Sequence, residues 1–122
     1  MTMYITNGSE PTINLTSPNF SSPVTFERGM SYALQGAISD DTGLDEIIIY
    51  LEEGHAHKTA EEPIFEFDVD LGGSIATWDF ETDGNIVINI PQAAEIGDYI
   101  LHIIAKDVDG NYGIFEGEIE II

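Results

Sequence analysis

Glu95-Ile96-Gly97-Asp98-Tyr99-Ile100-Leu101-His102-Ile103-Ile104-Ala105-Lys106 is the stretch on which the fold turns. Tyr99, Leu101, Ile103 and Ala105 form one row, and Ile100, His102, Ile104 and Lys106 form the other. A strand sends successive side chains to opposite faces, so this alternation predicts a buried row and an outward row. The first row is the apolar one free of charge, and it is assigned to the core. Working outward from here, period two persists nearly everywhere. No window of 11 residues keeps apolar positions at helical spacing with caps at both ends.

The expected strands cover residues 12–15 with a continuation at 24–26, then 30–39, 46–52, 64–71, 74–80, 85–90, 98–106 and 114–121. Asp40-Asp41-Thr42-Gly43, Asp83-Gly84-Asn85 and Asp109-Gly110-Asn111 separate several of them. Each contains residues that tolerate positive φ and reads as a hairpin or corner. Pro11, Pro18 and Pro23 crowd the first quarter. There an edge strand crossing between sheets tolerates the missing N–H donors. Residues 1–10 read as a disordered or extended lead, and residues 11–122 as one domain.

The 122 residues suffice for a continuous core, and the hydrophobic fraction of 43% is evenly spread. Twenty-three acidic residues face only 3 basic ones, for a formal charge of -20. Such a surface repels nucleic-acid phosphates and anionic lipid, and attracts cations. There is no Cys, hence no disulfide or thiol chemistry. No stretch reaches the apolar length of a membrane span, and Met1-Thr2-Met3-Tyr4 does not open a signal sequence. An extracytoplasmic location (cell surface, periplasm or secreted) is expected, with any signal or anchor lying outside this sequence.

Glu95 to Leu101 resembles the tyrosine corner of immunoglobulin-type sandwiches, in which a Tyr at a strand start bonds back to upstream backbone and the residue two further on enters the core. Leu101 takes that second position. Together with Gly29-Met30-Ser31-Tyr32-Ala33-Leu34-Gln35-Gly36-Ala37-Ile38-Ser39-Asp40-Asp41-Thr42-Gly43-Leu44 and Ala105-Lys106-Asp107-Val108-Asp109-Gly110-Asn111, it makes nearly the whole chain similar to the Ig-like domains of bacterial surface proteins and lipoproteins. The loop at His55 resembles, more narrowly, that of small bacterial lipoprotein domains of uncharacterised function, which carry more histidines than the three present here. The resemblance implies an all-β, immunoglobulin-like antiparallel sandwich of seven to eight strands with Greek-key connections. In that fold, residues 64–71 and 74–80 must form one edge strand bent at Gly72-Gly73, where the chain changes sheets. Otherwise the strand at 98–106 would run parallel to that at 46–52.

Three constellations bear chemistry. His55 and His57 flank Ala56 in an acidic loop, and His102 stands on the outer face near Tyr50 and Glu52, with Glu118 as a further neighbour. Imidazoles two apart on extended chain point the same way, which suits Zn or another divalent transition metal. Asp40 and Asp41 from one turn and Asp107, Asp109 and Asn111 from another, with Asp83 nearby, offer the hard oxygens that Ca2+ requires. The Gly of Asp107-Val108-Asp109-Gly110-Asn111 falls at the fourth position, which rules out an EF-hand loop. Ile48, Tyr50, Ile100 and Ile104 form an outer apolar patch of the kind that contacts a neighbouring domain, a second copy or a cell-surface glycan. Of Trp78, Tyr50, Tyr99, Phe65, Phe67, Phe80 and Phe115, at least four are expected in the core, with Trp78 and Tyr50 undecided between core and surface. No nucleophile elbow, phosphate loop or singled-out carboxylate pair supports catalysis. The expectation is a non-catalytic interaction or spacer module, with no nucleic acid and no membrane insertion. The alternatives are a histidine metal module and a calcium-stiffened adhesion module.

Overall fold

The computed structural model describes residues 9–54 and 63–122. Eight strands follow one another: β1 (Thr12–Ser17), β2 (Val24–Phe26), β3 (Ser31–Ala33), β4 (Gln35–Glu53), β5 (Phe65–Asp79), β6 (Val87–Asn89), β7 (Gly97–Asp107) and β8 (Tyr112–Ile121). Strands β4 and β5 are the frame. They pair antiparallel along their whole length, from Ala37 opposite Asp79 to Leu51 opposite Phe65. Between Ser39 and Leu44 the register breaks, and there Gly43 has φ +126 while Gly72 and Gly73 have φ +68 and +77. The ribbon therefore bends at one level in both strands. Its two halves enter two facing layers.

Residues 35–39 of β4 pair with β1 on one side and with the end of β5 on the other. β3 and β6 pair antiparallel in a separate two-stranded ribbon. In the second layer, residues 46–53 of β4 pair with β7, which pairs with β8. β2 closes that layer's edge by pairing parallel to β8. The result is the immunoglobulin-like β-sandwich that the resemblance implied, and the single bent strand over residues 64–80 is present. The Pro-rich crossing is present too, since β1 belongs to the first layer and β2 to the second.

The boundaries differ most at β3 and β4. The sequence separates residues 30–39 from 46–52 by a turn, whereas the structure breaks the first segment at Leu34 and then runs one 19-residue strand through Asp40-Asp41-Thr42-Gly43. Those residues bulge and redirect the chain without reversing its ladder, because β5 bends beside them.

The parity of β7 is as read. Tyr99, Leu101, Ile103 and Ala105 are at most 3% exposed, while the alternate residues face outward. They meet Ile38, Leu44, Ile47, Ile49 and Leu51 of β4, with Phe26, Ile88, Ile119 and Ile121. Trp78 is a core residue, set edge-on against Phe80 at 5.3 Å. Tyr99 Oη donates to the Glu95 carbonyl at 2.7 Å, which completes the tyrosine corner and lets a buried phenol keep a partner.

Candidate functional site

The outer face of the β4–β7–β8 layer is built by cross-strand register. Ile48 lies opposite Ile104, and Ile104 opposite Ile114. In the next row Tyr50, His102 and Glu116 stand abreast, and in the one beyond it Glu52, Ile100 and Glu118. On the other side of Ile48, the row is Glu46, Lys106 and Tyr112. Ile48, Tyr50, Ile100 and Ile104 are half-buried, while Ile114 and Tyr112 are 65% and 51% exposed. The apolar stripe thus runs onto β8, beyond the four residues picked out from sequence. The hairpin at Asp109-Gly110-Asn111 carried the signal, since it sets which β8 residues share the face of Ile104. Acidic rows flank the stripe: Glu66, Asp68 and Asp70 from β5, and Glu116, Glu118 and Glu120 from β8.

His102 sits inside this face. Its ring stacks on Tyr50 with centroids 4.4 Å apart and planes 13° from parallel. Nδ1 lies 3.2 Å from Glu116 Oε2, and Nε2 lies 3.2 Å from Glu52 Oε2 at an angle too poor for a hydrogen bond. The neighbour on β8 is Glu116, not Glu118, because the register sets Glu118 opposite Ile100. His55 and His57 lie outside the described residues. Glu116 thus faces the ring at Nδ1, while Nε2 is buried beside Glu52 without a hydrogen-bond partner. Burial, then the charges of Glu52 and Glu116, push the Tyr50 hydroxyl above its ordinary range, so it remains a neutral phenol.

Glu46, Asp68 and Asp70 bring carboxylate oxygens within 4.8 Å of one another at the edge of the same face. A hydrogen bond with Asp68, then burial and the charges of Asp68 and Asp70, raise Glu46 against the opposing pull of Lys106. Sequence reasoning missed this triad because it arises only from pairing across β4 and β5.

At the end of the sandwich where the ribbon bends, Asp40 is 7% exposed and Asp107 is fully buried. Asp40 Oδ2 accepts from Thr42 N, Thr42 Oγ1 and Gly43 N at 2.8–3.0 Å. Asp107 Oδ1 accepts from Asp109 N and Asn111 N at 2.9 and 2.8 Å, and Oδ2 from Asn111 Nδ2 at 3.2 Å. Burial pushes Asp107 up, but the donors from Asn111 and Asp109 and its contact with Asp40 outweigh that and hold it below the ordinary aspartate value. Of the acidic set named from sequence, Asp40 and Asp107 meet side chain to side chain. Asp41 and Asp109 are exposed, and Asn111 turns its amide nitrogen to Asp107. Asp83 is not beside them: it follows Asp79, which pairs with Ala37, and its Oδ2 accepts Asp79 N at 2.7 Å.

Among the described residues no helix is long and apolar enough to cross a membrane. None of the curated proteins matches the sequence. Among solved structures, a superoxide reductase (neelaredoxin) from Ignicoccus hospitalis aligns over 94% of this chain and 82% of its own, at 11% identity and a TM-score of 0.55. Murine CRIg aligns over 93% and 97% at 15% identity and a TM-score of 0.46. CopC from Methylosinus trichosporium OB3b aligns over 90% and 93% at 11% identity and a TM-score of 0.45. At such identity the first likeness concerns the fold alone and carries no sign of catalysis. A family model covers what the topology describes, and on that match over residues 3–122 the chain belongs to DUF4625, a domain of unknown function.

Proposed function

We propose that the chain is a non-catalytic interaction module of an exported or cell-surface bacterial protein, and that it docks a partner on the outer face of the β4–β7–β8 layer. The observation that carries this reading is the stripe of Ile48, Ile104, Ile114 and Tyr112, with Ile114 and Tyr112 more than half exposed and acidic rows on both sides. An apolar centre within a charged rim is the anatomy of a contact surface. The rim also selects the partner. A second copy would set acidic rows against acidic rows in a chain of formal charge -20, so the occupant is a different protein domain whose rim is basic. Export agrees with the acidic, all-β composition and with the resemblance to bacterial surface domains.

The test is site-specific photo-crosslinking in the native host, with the photoreactive residue at position 114 and, as control, at position 77 on the opposite layer. The expected result is one discrete crosslinked species from position 114, lost when Ile104 is replaced by Asp. Equal crosslinking from both positions, or none from 114, would leave the chain a spacer and overturn the docking reading.

A further inference from the structure

The bend of the β4–β5 ribbon and the hairpin from β7 to β8 meet at one corner. Val108 N donates to the Gly43 carbonyl at 3.1 Å, which holds the two turns together. Behind that contact lie Asp40 and Asp107, side chain to side chain and shielded from water. No Lys or Arg pairs with either among the described residues. Two carboxylates brought together out of water repel strongly, and the turn donors cancel only part of that charge.

The donors are also unevenly shared. Asp40 Oδ2 takes three of them, and both Asp107 oxygens are engaged. Asp40 Oδ1 takes none, although it is buried in a residue that is itself more than nine-tenths buried. A buried oxygen of this kind is costly unless something positive meets it. No N–H or hydroxyl is placed to do so, and the neighbour it has is the Asp107 carboxyl group, so either a shared proton or a cation must lie between the two.

We propose that Asp40 and Asp107 are the anionic ligands of a Ca2+ site that locks this corner, with Asp40 Oδ1 as the ligand atom left open for the ion. The turns engaging the other oxygens preorganise both carboxylates. Ca2+ takes six to eight oxygens at about 2.3–2.6 Å in flexible geometry, which suits a site whose remaining positions are filled by water. Mg2+ requires a stricter octahedron and fits less well. The site is independent of the docking face, so either can fail alone.

The full chain, stripped of metal with EDTA and exchanged into metal-free buffer, is titrated with CaCl2 by calorimetry, with MgCl2 at equal ionic strength as control for the acidic surface. Amide NMR shifts are followed in parallel. We expect one Ca2+ per chain at the submillimolar to millimolar affinity of extracellular modules. The amide shifts concentrate at Gly43, Asp109 and Asn111, and the melting temperature rises. Asp40→Asn weakens binding at least tenfold, yet in EDTA is no less stable than the parent, because it relieves the repulsion while keeping an acceptor for the turn. Asp68→Asn, in the outer triad, leaves the binding unchanged. The proposal is overturned if 10 mM CaCl2 does no more than MgCl2. It is equally overturned if the shifts centre on Glu46, Asp68 and Asp70, or if Asp40→Asn is destabilised in EDTA. That last result marks a proton or a hydrogen bond, in place of an ion, as what reconciles the pair.

Discussion

Tyr99 buries its ring and still satisfies its hydroxyl through the Glu95 carbonyl, and two residues later Leu101 is wholly enclosed. These two residues separate hydrogen bonding from packing. Replacing Tyr99 by Phe removes one hydroxyl donor and is expected to cost about 1 kcal/mol. Leu101→Ala leaves a cavity between layers and should cost about 2–5 kcal/mol. Urea unfolding of both variants checks the order, and a larger loss at Tyr99 would show that the corner, rather than the core, anchors β7. Asp79 contributes to the acid dependence. The backbone N–H groups of Thr82 and Glu81 meet its Oδ1 and hold it below the ordinary value of 3.8. Its contribution is therefore complete above the unfolded value and declines as pH falls through the lower folded one. Stability measured from pH 6 downward should fall more gently in Asp79→Asn than in the parent chain. At this scale the sequence was informative: alternation placed Leu101 inside and His102 outside, as found. The partners of His102 were less legible, because a neighbouring strand shifted by two residues exchanges Glu118 for Glu116.

At the scale of elements, the bend of β4 and β5 decides the architecture. Gly43 has φ +126, and a Cβ there would lie 2.6 Å from the Gly73 carbonyl oxygen, so both backbone strain and steric conflict oppose any side chain. Gly43→Ala is expected to lose about 2–4 kcal/mol, combining the cost of a sparsely allowed backbone with overpacking. Gly72 has φ +68 with open space around it, and Asn tolerates that region, so Gly72→Asn should stay within about 1 kcal/mol of the parent. Thermal melts of the pair check the contrast, and equal losses would refute it. The paired glycines made the bend of β5 legible in advance. The continuity of β4 through residues 40–43 was not, because Asp-Asp-Thr-Gly suits a reversing turn equally well and only the adjacent bend of β5 keeps the ladder in step.

For the whole molecule, charge dominates. A chain of formal charge -20 repels itself when folded, and salt screens that repulsion. Its melting temperature should rise between 10 mM and 500 mM NaCl, while a complex on the acidic-rimmed face should weaken over the same range. Calorimetry and binding at the two salt concentrations check the opposed signs. A melting temperature that falls with salt would mean that ion pairs outweigh repulsion.

The amino-acid order by itself determined that this is an all-β chain, which row of β7 faces the core, and where the chain changes layers, because alternation, glycine and proline act over a few residues. Only the tertiary structure decided that Ile114 and Tyr112 extend the outer stripe, that Glu116 flanks His102, and that Asp40 and Asp107 meet away from water. Such contacts depend on strand register and on the bend of one ribbon over itself, both set by the whole core and not by any short stretch of chain.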